Sequence, residues 1–325
     1  MKNLLLLFVF FLVLKCDFGP SQAAAYVPES SGKINNITVV MAENEWDTAL
    51  GKRVREALEK PYEGLPLDEP QFSLNYLSPK AFTGFGRQSR NVIWFQNDSL
   101  ARISLAENQF ARPQILAHIT GPDADAKAFY FEENLQLLEA SFGEQERKEK
   151  LRRIQKAPTT EKSLENRFGI SLTYPSAYET VVDSTNFVWI QKQIQKGHLN
   201  LIAYRLPATV FHAGVLTERI LAIRDSIGKK YLPGRLDGSY MITEKAYLPY
   251  FYKTTLDGQQ TYLTKGTWEV ANDYMAGPFV NYMVQDSLNK RIMVIEGFAF
   301  APSISKREYM FELNTILSTL KIKAN

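Results

Sequence analysis

Residues 247–270 read YLPYFYKTTLDGQQTYLTKGTWEV, and this stretch decides the fold class. Two runs rich in β-branched and aromatic residues flank Asp257-Gly258, a dipeptide suited to the positive-φ positions of a tight hairpin turn. The spacing predicts strands near 247–255 and 260–270. Two more follow near 278–285 and 290–300, joined through a Leu288-Asn289 turn. Upstream, Gly169 to Tyr174, Phe187–Gln193 and Leu199–Arg205 read as strands. Leu216, Ile220, Ile223 and Ile227 form the apolar stripe of a helix expected to close at Gly228. The last helix is expected to start with a capping box, Ser305 with Glu308, and to bury Met310, Leu313, Leu317 and Leu320. Strands separated by tight turns and outnumbering helices imply an antiparallel sheet with helices packed on it.

Working back toward the N-terminus, the pattern changes. Ile34 to Val40 is a β-rich run. Trp46, Leu50, Val54 and Leu58 recur every four residues as one helix, which Pro61 stops. Phe72 to Tyr76 alternates as a strand, and Asn91 to Phe95 is another. Gly121-Pro122-Asp123 opens a long helix with Phe131, Leu135, Leu138 and Phe142 on one stripe. Its continuation from Glu144 to Lys156 mixes both charge signs and reads as a solvated face. The whole is α+β, two α/β-sandwich-like halves, the second with a mainly antiparallel sheet covered by helices. An N-terminal domain over 34–157 and a C-terminal domain over 158–325 divide at Pro158-Thr159-Thr160, in keeping with a length of 325 residues.

Composition narrows the function classes. The 38 basic and 35 acidic residues give a formal charge of +3, and losing Lys2 and Lys15 with a leader leaves +1. A nucleic-acid binder needs a clearer basic excess. The one cysteine, Cys16, leaves the body without a disulfide, a thiolate metal site or a cysteine nucleophile.

Met1-Lys2-Asn3 followed by Leu4 to Leu14, all apolar, is a signal peptide over 1–15, too short for a membrane span. Cys16 follows directly and resembles the acylated cysteine of a bacterial lipobox. Val13 and Leu14 suit that pattern and Lys15 departs from it. Ala23-Ala24-Ala25 leaves open the alternative of ordinary cleavage before Tyr26. Residues 16–33, rich in Gly, Pro, Ser and Ala, form a flexible tether to a membrane.

Motifs for chemistry are sparse. Gly84-Phe85-Gly86-Arg87-Gln88-Ser89 half-matches a phosphate loop, yet a strand follows where a helix N-terminus is required, so a turn accounts for it. Arg87 and Arg90 lie nearby. His118, His198 and His212 are isolated from one another, without zinc-ligand spacing. Ser303 and Lys306 match S-x-x-K by spacing alone, and a helix start explains them better. Glu43, Glu45 and Asp47 cluster at a helix N-terminus, where the dipole favours acids without any function. Tyr247, Tyr250, Tyr252, Tyr262, Trp268, Tyr274 and Tyr282 spread over the second-half strands, and Tyr250 and Tyr252 share a sheet face able to stack on a sugar or a partner. Asp47-Thr48-Ala49, Asp98-Ser99-Leu100, Asp183-Ser184-Thr185, Asp225-Ser226-Ile227 and Asp286-Ser287-Leu288 resemble an O-glycosylation acceptor of exported Bacteroidetes proteins. Asp-Ser is equally a turn and cap dipeptide, and Thr48 falls inside an expected helix.

The run from Tyr26 to Trp46, with Pro66-Leu67-Asp68-Glu69-Pro70-Gln71-Phe72 and Phe82-Thr83-Gly84-Phe85, resembles the uncharacterised Bacteroidetes lipoprotein family of domain of unknown function 4837. That resemblance implies an envelope lipoprotein and brings no catalytic residues with it. Phe168 to Pro175, together with Glu296 to Leu320, is similar to a PsbP-like α+β domain, which implies a non-enzymatic accessory module. The expectation is therefore a lipid-anchored binding or assembly module of the cell envelope, on the periplasmic side or the outer membrane. Its partner is an envelope protein or glycan, and no cofactor, metal or nucleic acid is expected. The alternative is an envelope hydrolase using carboxylates around Glu43 and Asp47.

Overall fold

The computed structural model describes residues 26–211 and 216–324. Cys16, the expected signal peptide, most of the tether and His212 lie outside them. The chain forms a five-stranded and an eight-stranded sheet, with a small two-stranded ribbon beside the second.

In the first half, β1 (Asn36–Val40), α1 (Glu43–Trp46), α2 (Ala49–Leu58), β2 (Ser73–Leu77), β3 (Asn91–Asn97), β4 (Arg102–Glu107) and β5 (Ile115–Gly121) precede α3 (Ala124–Glu133) and α4 (Leu135–Ile154). The sheet order is β2-β1-β3-β5-β4, parallel except for the β4–β5 pair. Its core lies between one sheet face and helices α2, α3 and α4, where Ile37, Val54, Phe95, Phe131 and Phe142 meet.

The second half opens with α5 (Ser163–Phe168) and β6 (Ile170–Ser171), then β7 (Glu179–Asp183), β8 (Phe187–Ile194), β9 (Gly197–Pro207) and α6 (Leu216–Tyr231). It continues through β10 (Tyr240–Thr243), β11 (Tyr250–Leu256), β12 (Gln259–Ala271), β13 (Asp273–Asp286), β14 (Arg291–Phe300), α7 (Arg307–Leu317) and β15 (Lys321–Ile322). The large sheet is antiparallel throughout, in the order β10-β12-β13-β14-β9-β8-β7, with β11 also on β12. Asp257 and Gly258 both take positive φ at the β11–β12 turn, as the dipeptide requires. One sheet face packs on α7 and α5 through Val280, Ile295, Leu313 and Leu317. The other packs on α6 through Ile202, Ile220, Trp268 and Phe298. The α+β class and the antiparallel second sheet are as expected.

Five local expectations need correction. The helix expected to run through Trp46 breaks at Asp47–Thr48, because the Trp46 carbonyl folds back onto α2. A Cβ on Gly51 would lie 2.0 Å from that oxygen, so only glycine admits the contact. The long helix after Gly121 divides at Asn134, whose side chain donates to the Tyr130 carbonyl. The strand expected over Gly169 to Tyr174 is confined to Ile170–Ser171; Gly169, at φ 62°, instead ends α5. Gly228 does not close α6, which runs on to Tyr231. Its lack of a side chain lets the β10 backbone approach, since a Cβ there would meet Met241 O at 2.1 Å. The capping box also fails: α7 starts at Arg307, and neither Ser305 nor Glu308 caps it.

Candidate functional site

The two halves meet along the segment from Lys33 to Asn36, the loop 59–72 and helices α4 and α7. The loop 59–72 is shaped by its own backbone: Tyr62 donates to Glu69 O at 2.8 Å and Gln71 to Lys60 O at 2.7 Å. Thus pinned, it projects two carboxylates onto the second half. Glu69 accepts the backbone N–H groups of Lys306 at 2.6 Å and Arg307 at 2.8 Å. Glu63 accepts the Tyr252 hydroxyl at 2.8 Å and the Lys265 ammonium at 2.9 Å. Gly64, at φ 83°, lies against the Lys265 backbone, where a side chain would crowd.

On the other side of the junction, Glu146 of α4 is fully buried. Arg90 donates to both of its oxygens, at 2.9 and 3.0 Å, the Asn91 side chain at 2.6 Å and the Asn35 backbone at 3.0 Å. The charged run from Glu144 to Lys156 is therefore not a wholly solvated face. Glu146 is 0% and Glu149 3% exposed, the latter held by Arg152 and Arg153. Desolvation raises the Glu146 carboxyl above its ordinary value, against the opposing pull of Arg90.

Between these anchors opens a cleft of about 580 Å³ that both halves line. The first half contributes Lys60, Tyr62 and Glu63, and the second Tyr250, Lys265, Phe311 and Asn314. Tyr250 and Tyr252 are exposed on edge strand β11, as their shared parity requires. Lys60 pairs with Glu139 at 2.8 Å, and Lys265 lies 5.5 Å over the Tyr252 ring. Burial works to raise Glu63, and the hydrogen bonds from Lys265 and Tyr252 outweigh it, so its carboxyl is held below its ordinary value. Burial, with the Glu63 bond, pushes the Tyr252 phenol up to about 12. At the cleft floor Tyr282 donates to Asn314 at 2.7 Å. Exposed tyrosines beside charges already neutralised in pairs suit stacking and hydrogen bonding to a partner.

A second opening of about 830 Å³ lies across the Lys33–Asn36 segment, lined by Lys33, Arg90, Lys150, Arg153 and Arg307. Four of these cations are already paired, with Glu146, Glu312, Glu149 and Glu308.

The structure disperses the other residues singled out in the sequence. Gly84–Gln88 is a 3-10 turn, and Arg87 packs over the Phe110 ring while donating to Phe82 O, so it faces no anion site. Glu45 pairs with the buried Lys127, which also donates to Asn97 at 2.6 Å; Glu43 and Asp47 are exposed. His118 makes a tilted ring contact with Trp94 and contacts Gln96 at 2.5 Å, far in sequence from His198. Lys306 donates to the Ile304 carbonyl, which leaves Ser303 without its motif partner. Trp268 and Tyr282 are core residues, whereas Tyr247 and Tyr274 are exposed. Thr48, Ser99, Ser226 and Ser287 are exposed, and Ser184 is half-buried on Phe187 O. Among the described residues no group of three or more His, Cys, Asp and Glu could hold a metal, and no helix is long and apolar enough to cross a membrane.

Of the cleft residues and their direct partners, the aromatic parity on β11 pointed to Tyr250, in the lining, and to Tyr252, which donates to Glu63. Tyr62, Glu63 and Lys60 were missed because they follow a proline stop, in a stretch without periodicity. The paired prolines Pro61 and Pro70, which face each other across the loop, were the available signal.

Fold and cleft together define an α+β protein whose two sheets, one mainly parallel and one antiparallel, leave an open cleft at their junction. The chain belongs to the family described as Domain of unknown function (DUF4837), whose model matches residues 157–319. A second model, Domain of unknown function (DUF8532), matches residues 30–155. The first match thus covers the second half and not the first hundred residues, which carry the segments quoted for the resemblance. No curated protein matches the chain. Among solved structures, the Ran-binding protein Mog1p of Saccharomyces cerevisiae is similar at 9% identity and TM-score 0.32, over 47% of this chain and 89% of that one. Cyanobacterial PsbP from Synechocystis sp. PCC 6803 is similar at 10% identity and TM-score 0.31, over 48% of this chain and 87% of that one. A STAR-related lipid transfer protein from Xanthomonas axonopodis has 12% identity and TM-score 0.22, over 44% of this chain and 94% of that one. These scores are too low to carry an argument about function.

Proposed function

We propose that this protein is a binding or assembly accessory module of a Bacteroidetes cell envelope, held to the membrane through acylated Cys16, and that the cleft between its halves receives a segment of an envelope protein or glycan. The anchor rests on the apolar run closed by Cys16 and on the lipoprotein resemblance. The observation that carries the binding reading is Tyr250, exposed at 47% on an edge strand and lining a cleft to which both halves contribute. Exposed aromatics beside a cleft favour recognition, because ring stacking and apolar contact are available there without unfolding anything. An edge strand also offers unpaired backbone groups to an extended partner.

Two experiments test the parts separately. Metabolic labelling with a clickable fatty acid should mark the wild type and not Cys16→Ser; an unlabelled wild type removes the anchor. Cross-linking in living cells through a C-terminal tag should enrich a reproducible partner near one-to-one, and Tyr250→Ala should reduce that yield with folding unchanged. Equal yields from the variant and the wild type would remove the cleft from the reading.

A further inference from the structure

The α6 face of the large sheet carries a further cavity, which shares no lining residue with the cleft. Its volume is about 200 Å³, and its walls are Trp189, Trp268, Phe298, Met241, Val270 and Met275. It exists because α6 covers only part of the face before ending at Tyr231, and the chain then crosses through Leu232-Pro233-Gly234. Arg235, at the rim, is bound by Asp273 at 2.7 and 3.1 Å, so the cavity has no free cation to hold an anion.

The polar groups are fixed with two donors left over. Asn200 Oδ1 accepts from Trp189 Nε1 at 3.0 Å and from Gln191 Nε2 at 3.0 Å. An indole nitrogen only donates, so the Asn200 amide cannot be turned round. Its Nδ2 then faces His198 Nδ1 at 2.9 Å and donates to it. That fixes His198 as the tautomer with its proton on Nε2. Burial lowers the His198 pKa, which keeps the ring neutral. Among the described residues Nε2 has no partner, and His198 lines the cavity. Trp268 Nε1 is buried without an acceptor.

An apolar cavity of about 150 Å³ is enough for benzene. We propose that the cavity between α6 and the sheet binds a small, neutral, single-ring molecule that accepts a hydrogen bond from His198 Nε2. The ring lies among Trp189, Trp268 and Phe298, whose own centroids are already spaced for edge and tilted contacts at 5.8 and 6.5 Å. A charged molecule is excluded because nothing in the cavity would compensate its desolvation.

The test uses acetophenone, with one ring and one carbonyl, against ethylbenzene, which has the same shape and no acceptor. Titration into the ¹⁵N-labelled full chain is followed through the indole N–H resonances of its four tryptophans. Acetophenone should shift Trp189 and Trp268 and leave Trp46 and Trp94 in place. Ethylbenzene should bind about tenfold more weakly, the size of one net hydrogen bond. His198→Phe should abolish that difference, and Met275→Trp, which fills the cavity from its half-buried rim, should abolish both titrations. Equal affinities for the two compounds in the wild type would overturn the donor role of His198. Absence of any Trp189 or Trp268 shift up to the solubility limit, or shifts that survive Met275→Trp, would overturn the site.

Discussion

Glu69 caps a helix that begins 238 residues further along the chain: its carboxylate accepts the Arg307 backbone N–H at 2.8 Å and, through the other oxygen, that of Lys306 at 2.6 Å. A carboxylate at a helix N-terminus satisfies orphan donors and meets the positive end of the dipole. Here the cap comes from the opposite half, so one residue couples the loop 59–72 to α7. Glu69→Ala should cost about 1–2 kcal/mol, the usual price of a lost cap. Ser305→Ala, which removes the residue that sequence alone favours as the cap, should stay within about 0.5 kcal/mol. Urea unfolding of the two variants decides between them.

Glu146 and Arg90 form a bidentate pair at 0% and 2% side-chain exposure. Removing one partner leaves the other charged in a dry site. Glu146→Ala should therefore lose about 3–5 kcal/mol, while an Arg90→Met, Glu146→Leu double variant should recover most of it. Comparable losses in the single and double variants would show that the pair is stabilising in itself.

Glu149 makes the protein acid-sensitive. Burial works to raise its carboxyl, but the hydrogen bonds from Arg152 and Arg153 prevail and lower it from 4.5 to about 2. Because the folded value lies below the unfolded one, its contribution is complete above pH 4.5 and is lost as pH falls through about 2. Glu149→Gln should flatten the stability profile across that window, measured by chemical denaturation at a series of pH values.

Gly228 gives a sign opposite to helix propensity. Alanine ordinarily stabilises a helix interior over glycine by roughly 1 kcal/mol. At this position a Cβ would lie 2.1 Å from Met241 O, a backbone atom that cannot turn aside. Gly228→Ala should destabilise the chain by about 1–3 kcal/mol, and a raised melting temperature would contradict the packing of α6 on β10.

The second sheet was legible in the sequence because its signals are local: β-rich runs, period-two aromatics on β11, and Asp257-Gly258 between two long strands. What stayed hidden depends on contacts across the chain. Nothing near Glu146 distinguishes it from the solvated acids beside it, since its partners, Arg90 and Asn91, lie more than fifty residues earlier. The true cap of α7 is more than two hundred residues away from it. Strand β10 is four residues long and is held by Trp268 to Ala271 of β12, with no turn signal to announce it. The cleft was half visible for the same reason: Tyr250 and Tyr252 follow a strand period, whereas Lys60, Tyr62 and Glu63 sit on a loop ordered by its own closure.

The most direct test of the binding reading is site-specific photocross-linking in living cells. A benzophenone amino acid is placed at Tyr250, in the cleft, and separately at Tyr274, which is 105% exposed on the far end of β13. The expected result is a discrete adduct from position 250, weakened by Lys60→Ala or Lys265→Ala, and none from 274. Adducts from both positions alike, or from 274 alone, would contradict the cleft as the surface where this protein meets its partner.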